Sequence, residues 1–174
     1  PLFHRIDAAF AEVAATKRLR LRGTETQARV WRDPLLLVRI LFNLMSNAIR
    51  YTERGGAVLG VRRRGALLSI EVRDSGVGIP AAEREHIFDE FYQIDAAGLH
   101  GRQGMGLGLA IIRRLAALLQ HDVEVESTPG RGSRFSVLVP RTAPGVVQSD
   151  SPAASSPGAS LAGALIAGSD AEPT

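Results

Sequence analysis

The chain has 174 residues, 45% of them apolar and 22% charged, with a net charge of +3; this is the make-up of a globular domain with a core of its own, not of a disordered or fibrous chain. It has no cysteine, which excludes a disulfide framework, a thiolate metal site and a cysteine nucleophile, and no run approaches the ~18 apolar residues of a membrane span. Its start, Pro1-Leu2-Phe3-His4-Arg5, has neither an initiator Met nor the basic flank and apolar stretch of a signal peptide, so the expectation is a cytoplasmic segment of something longer.

Leu2, Ile6, Ala9, Phe10 and Val13 recur at helical spacing and predict an amphipathic entry helix over about residues 1–15. Leu19–Arg22 and Ala28–Trp31 alternate like short strands. Asp33-Pro34 joins an acceptor side chain to a proline at a first helical position, which predicts a helix from Leu35 to about Thr52. Leu36, Ile40, Leu44 and Ala48 share one face of it, and Gly55-Gly56 ends it. Ala57–Arg63 and Ala66–Arg73 read as a hairpin turning near Arg64-Gly65, followed by the glycine-bearing turn Asp74–Pro80 and a short helical stretch from Ile87 to Tyr92. A loop with Gly98, Gly101, Gly104, Gly106 and Gly108 then feeds a second long helix, Leu107–Gln120. Val123–Ser127 and Ser133–Val139 close the domain as strands. This mixed order predicts an α+β fold, a two-layer α/β sandwich with a mostly antiparallel sheet packed against helices, over residues 16–140.

Residues 141–174 are rich in Ala, Ser, Pro and Gly and contain no aromatic; such a stretch buries too little apolar surface to offset its ordering entropy, so it is expected to be a linker. It holds one arginine against Asp150, Asp170 and Glu172, so the positive charge lies before it. That charge is mostly arginine, as in Arg18-Leu19-Arg20-Leu21-Arg22 and Arg62-Arg63-Arg64. With no aromatic between them, these read as a solvated strand face and a hairpin end, and nucleic acid is not an expected partner.

Three constellations carry chemistry. Asn43 and Asn47 stand four apart on one helix face, followed by Arg50 and Tyr51. Asparagine is unfavourable inside helices, and two readings explain the pair: amide oxygens for Mg²⁺, with Arg50 for a phosphate, or amides that satisfy neighbouring loop backbone. Asp74, followed by Gly76 and Gly78, is either an acceptor for an exocyclic amine such as that of adenine or an aspartate capping a tight turn. Gly104-Met105-Gly106-Leu107-Gly108 opens a helix, as a phosphate cradle or as the hinge of a mobile loop. It lacks the Gly-Lys-[Ser/Thr] of a P-loop, and the polar loop before it does not fit a dinucleotide fingerprint. His4, His86, His100 and His121 lack ligand spacing, Ser75 sits in no nucleophile elbow, and Asp89 and Glu90 are adjacent, which makes a poor acid–base pair.

In this order, the three constellations resemble the ATP-binding catalytic domain of bacterial sensor histidine kinases. Asn43–Tyr51 looks like the family's asparagine box, Asp74–Pro80 its first glycine box, Ile87–Tyr92 its phenylalanine box and Gly104–Ala110 its second glycine box. Gly130–Phe135 is similar to its closing glycine motif. The resemblance implies the fold shared with gyrase, Hsp90 and MutL proteins, with ATP and Mg²⁺ bound. Asn47, with Asn43, would hold the metal, and Arg50 and Tyr51 would contact phosphate and base. Asp74 would accept from the adenine amine, with Gly76, Gly78 and Ile79 beside the base and Ser133 supporting through water. Residues 93–103, among them Arg102 and Gln103, would form a mobile lid anchored by Phe88 and Phe91. Gly104, Gly106 and Gly108, with Leu107 and Leu109, would close it over the phosphates.

Hydrolases of the wider superfamily carry a glutamate base at the position of Asn43, and an amide takes no proton at neutral pH. Phosphoryl transfer depends on positioning and charge, so the resemblance implies a kinase lobe, with a hydrolytic ATPase and a non-catalytic interaction module as the alternatives. No histidine here sits in the family's His-[Glu/Asp] motif. The phosphoacceptor is therefore expected on an upstream helical hairpin that dimerises the parent, this piece being monomeric. A receiver domain or response regulator is the expected downstream partner, and a membrane anchor in the parent is left open.

Overall fold

The computed structural model describes residues 2–24, 26, 33–94 and 105–141. The chain divides into units Pro1–Pro144 and Gly145–Thr174, and every described residue belongs to the first. The strand expected at Ala28–Trp31, the lid residues Gly98, Gly101, Arg102, Gln103 and Gly104, and the tail from 142 lie outside the described residues.

Helix α1 (Leu2–Thr16) leads into strand β1 (Arg20–Gly23) and the long helix α2 (Pro34–Tyr51). Strands β2 (Gly56–Arg64) and β3 (Leu67–Asp74) form the hairpin, and after two 3₁₀ turns, Ala81–Glu83 and His86–Phe88, come α3 (Gly108–Leu118), β4 (Asp122–Thr128) and β5 (Gly132–Pro140). The sheet order is β1-β2-β3-β5-β4; β1 pairs with β2 in parallel, and the other three pairings are antiparallel. The expected sandwich with a mostly antiparallel sheet is the fold observed.

Alternation decides which side of the sheet is dry. Ala57 and Leu59 of β2, Ile70 and Val72 of β3, and Phe135, Val137 and Val139 of β5 enter one core with Ile40, Leu41, Leu44 and Met45 of α2 and Ile112 and Ala116 of α3. On α1 the buried stripe runs through Ile6 and Ala14, with Phe3 and Phe10 packed against it, while Ala9 and Val13 face solvent. The opposite sheet face is covered by its own charges. Glu71 pairs with Arg73 at 2.6 Å, Arg134 pairs with Glu126, and Arg64 of β2 reaches Glu124 of β4 at 2.5 Å. Ser69 and Ser136 lie buried on β3 and β5, the strands between. The hairpin-end arginines are thus exposed, as expected, but Arg64 is paired rather than merely solvated.

One element departs from its sequence pattern. The helical stretch expected from Ile87 to Tyr92 stops at Phe88: Asp89 is extended, and Phe91 turns to φ +64°. The cause is a tether, because the Phe91 N–H donates to the Gly106 carbonyl (3.1 Å) and pulls the backbone towards the loop before α3.

Candidate functional site

Helix α2 starts where Asp33 accepts from the N–H groups of Leu35 (2.8 Å) and Leu36 (3.3 Å), filling two orphan donors of the first turn. It ends at Tyr51, and the buried Thr52 hydroxyl donates back to the Ala48 carbonyl (2.6 Å). The Tyr51 carbonyl then accepts from the N–H of Val77 (3.3 Å), which sets the turn after β3 against the end of α2. A Cβ at Gly76 would press on that same Tyr51 carbonyl. Gly78 sits at φ +71°, with the Thr128 carbonyl where a Cβ would stand, so both its conformation and its space require glycine. Ser75 is structural: its hydroxyl accepts from Gly56 N–H (3.0 Å) and donates to carbonyl oxygen at the start of β2.

These constraints hold Asp74 at the end of β3 with Oδ1 accepting from the N–H groups of Gly76 (2.8 Å) and Ser133 (3.2 Å). Burial raises its carboxyl above the usual carboxylate range, and the two N–H groups pull it part of the way back. Among the described residues nothing occupies Oδ2.

Asp74 and Ser133 line a cleft of about 120 Å³ whose other walls include Asn47, Tyr51, Gly78, Ile79 and Leu109. Seven of the residues expected from the sequence therefore meet in one place. Ala48, Val77, Ile87, Tyr92, Ile94 and Phe135 add to the apolar wall, and none of these was singled out as a site residue. Phe135 was legible as an alternating position of its strand and as the end of the closing glycine motif, without a site role. Tyr92, however, closes a box with an evident aromatic pattern, and its hydroxyl is held by Glu83.

Other expected residues stand apart from the cleft lining. Asn43 donates its amide N–H to the Arg39 carbonyl one turn back (3.1 Å), so the two helix amides do not converge on the cleft. Arg50 is half-buried on the last turn of α2, outside the lining. Asn47 does reach the start of α3, its amide lying 3.6–3.7 Å from where a Cβ of Gly108 would be. Phe88 packs edge-on to Phe135 (6.5 Å between ring centres), as an anchor should. Phe91 does not: it is 70% exposed, and the residue itself is tied down by its backbone bond to Gly106, while its neighbours Glu90 and Tyr92 are held by Arg114 and Glu83. Gly106 itself, at φ +67°, leaves no room for a Cβ against the Phe91 backbone. Leu107 precedes α3, and among the described residues no side chain caps the helix, so its first N–H groups have no side-chain acceptor there.

An apolar slot with a pinned carboxylate, an amide beside an uncapped helix start and an open sheet backed by two long helices form one recognisable arrangement. Residues 32–143 match the family of histidine kinase-, DNA gyrase B- and HSP90-like ATPases, more than half of the chain. The chain belongs to that family. Its relatives include the sensor histidine kinase RcsC of Escherichia coli, 48% identical over 108 residues, or 62% of this chain and 11% of RcsC. SenX3 of Mycobacterium tuberculosis, a sensor-like histidine kinase, is 44% identical over 113 residues, covering 64% of this chain and 28% of SenX3. Among solved structures, full-length ShkA in complex with AMPPNP aligns with a TM-score of 0.73 at 29% identity, over 82% of this chain and 30% of ShkA. The catalytic domain of histidine kinase ThkA aligns at 0.68 with 25% identity, over 80% of this chain and 90% of that one. The chain thus spans about a tenth of RcsC but most of an isolated kinase catalytic domain. Among the described residues no helix is long and apolar enough to cross a membrane.

Proposed function

We propose that this chain binds ATP with Mg²⁺ in the cleft and positions the γ-phosphate for transfer to a histidine on a separate domain of its parent protein. The observation that carries this reading is that Asp74 and Asn47 line the same cleft, with Asn47 against the start of a helix whose first turn has no side-chain cap. The apolar wall takes a flat base, and Asp74 Oδ2 accepts from its exocyclic amine. The α3 N-terminus, presented by Gly106 and Gly108, faces phosphate with N–H groups and the positive end of its dipole.

The residues present fit a metal held lightly. Among the described residues no cluster of three carboxylate or imidazole groups could hold a cation alone. Asn47 would contribute an amide oxygen, the remaining ligands being phosphate and water, which is the manner in which Mg²⁺ usually binds with nucleotides. Bound there, Mg²⁺ would neutralise charge on the phosphates. Arg50 and the lid residues Arg102 and Gln103 would add contacts from the rim.

Among the described residues, Asp74 is the one carboxylate lining the cleft, and no histidine lines it. Asp74 Oδ1 is held by two backbone N–H groups and its Oδ2 is the acceptor this reading gives to the base amine, away from the phosphate end, and Asn43 offers an amide directed at its own helix. Nothing among these lining residues is placed to take a proton from water, which favours transfer over hydrolysis. The acceptor histidine then belongs to a helical hairpin preceding α1, which also dimerises the parent in the cytoplasm. Residues 141–174 would link to a receiver domain. Calorimetric titration with Mg-ATP, with phosphate release followed in the same sample, tests this: binding with negligible release is expected, steady release would indicate an ATPase, and no binding would refute the assignment.

A further inference from the structure

Ser127 is a buried polar side chain on β4 that the proposed nucleotide site does not itself use. Its hydroxyl has three neighbours at hydrogen-bond distance. It accepts from the N–H of Ile79 (2.7 Å), donates to the carbonyl of Gly132 (2.9 Å) and lies 2.9 Å from the hydroxyl of Ser133. Its own carbonyl is held by Arg84 (2.6 Å), so the residue is clamped at both ends.

A serine hydroxyl has one proton and two lone pairs. Ile79 takes one lone pair, and Gly132 takes the proton. The contact with Ser133 can then be made in one sense only, with Ser133 as donor. Ser133 lines the cleft, and its N–H is already spent on Asp74 Oδ1. With its hydroxyl proton turned inward, Ser133 offers the cleft only lone pairs, as does the Asp74 carboxylate beside it. The polar edge therefore accepts twice and donates nothing.

We infer that Ser127 is a positioning residue for specificity: by taking the Ser133 proton it makes the cleft edge acceptor-only, so that a base with a 6-amino group is admitted and its 6-oxo counterpart is rejected. This rests on the nucleotide reading above. A carboxylate alone disfavours an oxo group, but a free serine hydroxyl beside it could rotate and donate, which would soften the discrimination. Ser127 removes that option.

The test is competitive titration of the full chain with Mg-ATP and Mg-ITP at mildly alkaline pH, which favours the ionised form of Asp74, in the wild type, Ser127→Ala and Ser133→Ala. Wild type is expected to prefer ATP. Ser127→Ala frees the Ser133 proton and should narrow the ATP:ITP affinity ratio by about tenfold, the worth of one hydrogen bond gained to the oxo group. Ser133→Ala should weaken ATP and leave ITP unchanged or tighter. A parallel loss of both nucleotides in Ser127→Ala, the mark of a merely structural role, would overturn the inference, and so would ITP weakening in Ser133→Ala. Should Ser127→Ala fail to fold, Ser133→Ala still decides. Absence of ATP binding to the wild type would bring down the nucleotide reading together with this one, whereas ATP binding with an unchanged ratio would remove Ser127 alone.

Discussion

In Asp74→Asn the amide oxygen can keep both bonds that Oδ1 accepts from Gly76 and Ser133, while the acceptor at Oδ2 becomes an NH₂ donor. Folding and binding then respond with opposite signs. The wild-type carboxyl is raised above its ordinary 3.8 by burial, so it binds protons more readily folded than unfolded. Its favourable share of stability is full below 3.8 and is lost as pH rises through the folded value, so at neutral pH the ionised group is a burden. Asparagine removes that burden, and the melting temperature should be unchanged or higher. Binding suffers twice. A charge-assisted bond worth roughly 1.5–3 kcal/mol disappears, and two donors then face each other, leaving one buried and unpaired at roughly 1–3 kcal/mol. Together this is roughly a sixty- to twenty-thousandfold loss of ATP affinity. Calorimetry for affinity and thermal unfolding without nucleotide check the two halves. A wild-type pH series adds a third: affinity should fall on acidification as Asp74 takes up a proton above the usual carboxylate range, and Asp74→Asn should lack that step. Retained affinity in the variant, or a binding loss matched by a melting-temperature loss, would refute the reasoning.

Asn47→Ala should weaken Mg-ATP more than metal-free ATP, because it removes an amide oxygen and leaves the Asp74 edge intact; titrations with and without chelator separate the two. Gly78→Ala should destabilise by more than about 2 kcal/mol, since positive φ and the Thr128 carbonyl both oppose a Cβ, and urea unfolding measures it. Leu44→Ala, at a position 1% exposed, should cost about 2–5 kcal/mol by the same assay through the cavity it leaves.

The local devices were readable because they rest on neighbours in sequence. Asp33-Pro34 caps α2 with its own first turn, and the hairpin and the closing strands appear where alternation and turn residues put them, within a residue or so. Gly78 was conspicuous in a turn, although its obstacle, the Thr128 carbonyl, lies fifty residues on. Phe91 shows the limit. Its aromatic pattern resembles that of an anchor, yet a bond from its backbone to Gly106 turns the chain and leaves the ring in solvent. Asn43 shows another: spacing places it on the face of Asn47, but an asparagine rotamer can serve its own helix instead, as the bond to Arg39 does.

The sequence by itself determined the order of elements, the family and the residues with polar chemistry to offer, because periodicity, caps and glycine turns act over a few residues. Only the tertiary structure decided which core residues also wall the cleft, since Ile87, Phe135 and Leu44 share one buried core and of these Ile87 and Phe135 reach the cleft as well. It also decided where the Ser133 proton points. That direction depends on Ser127, Ile79 and Gly132 meeting at one hydroxyl from a loop and two strands, and one proton with two lone pairs leaves a single way to satisfy them.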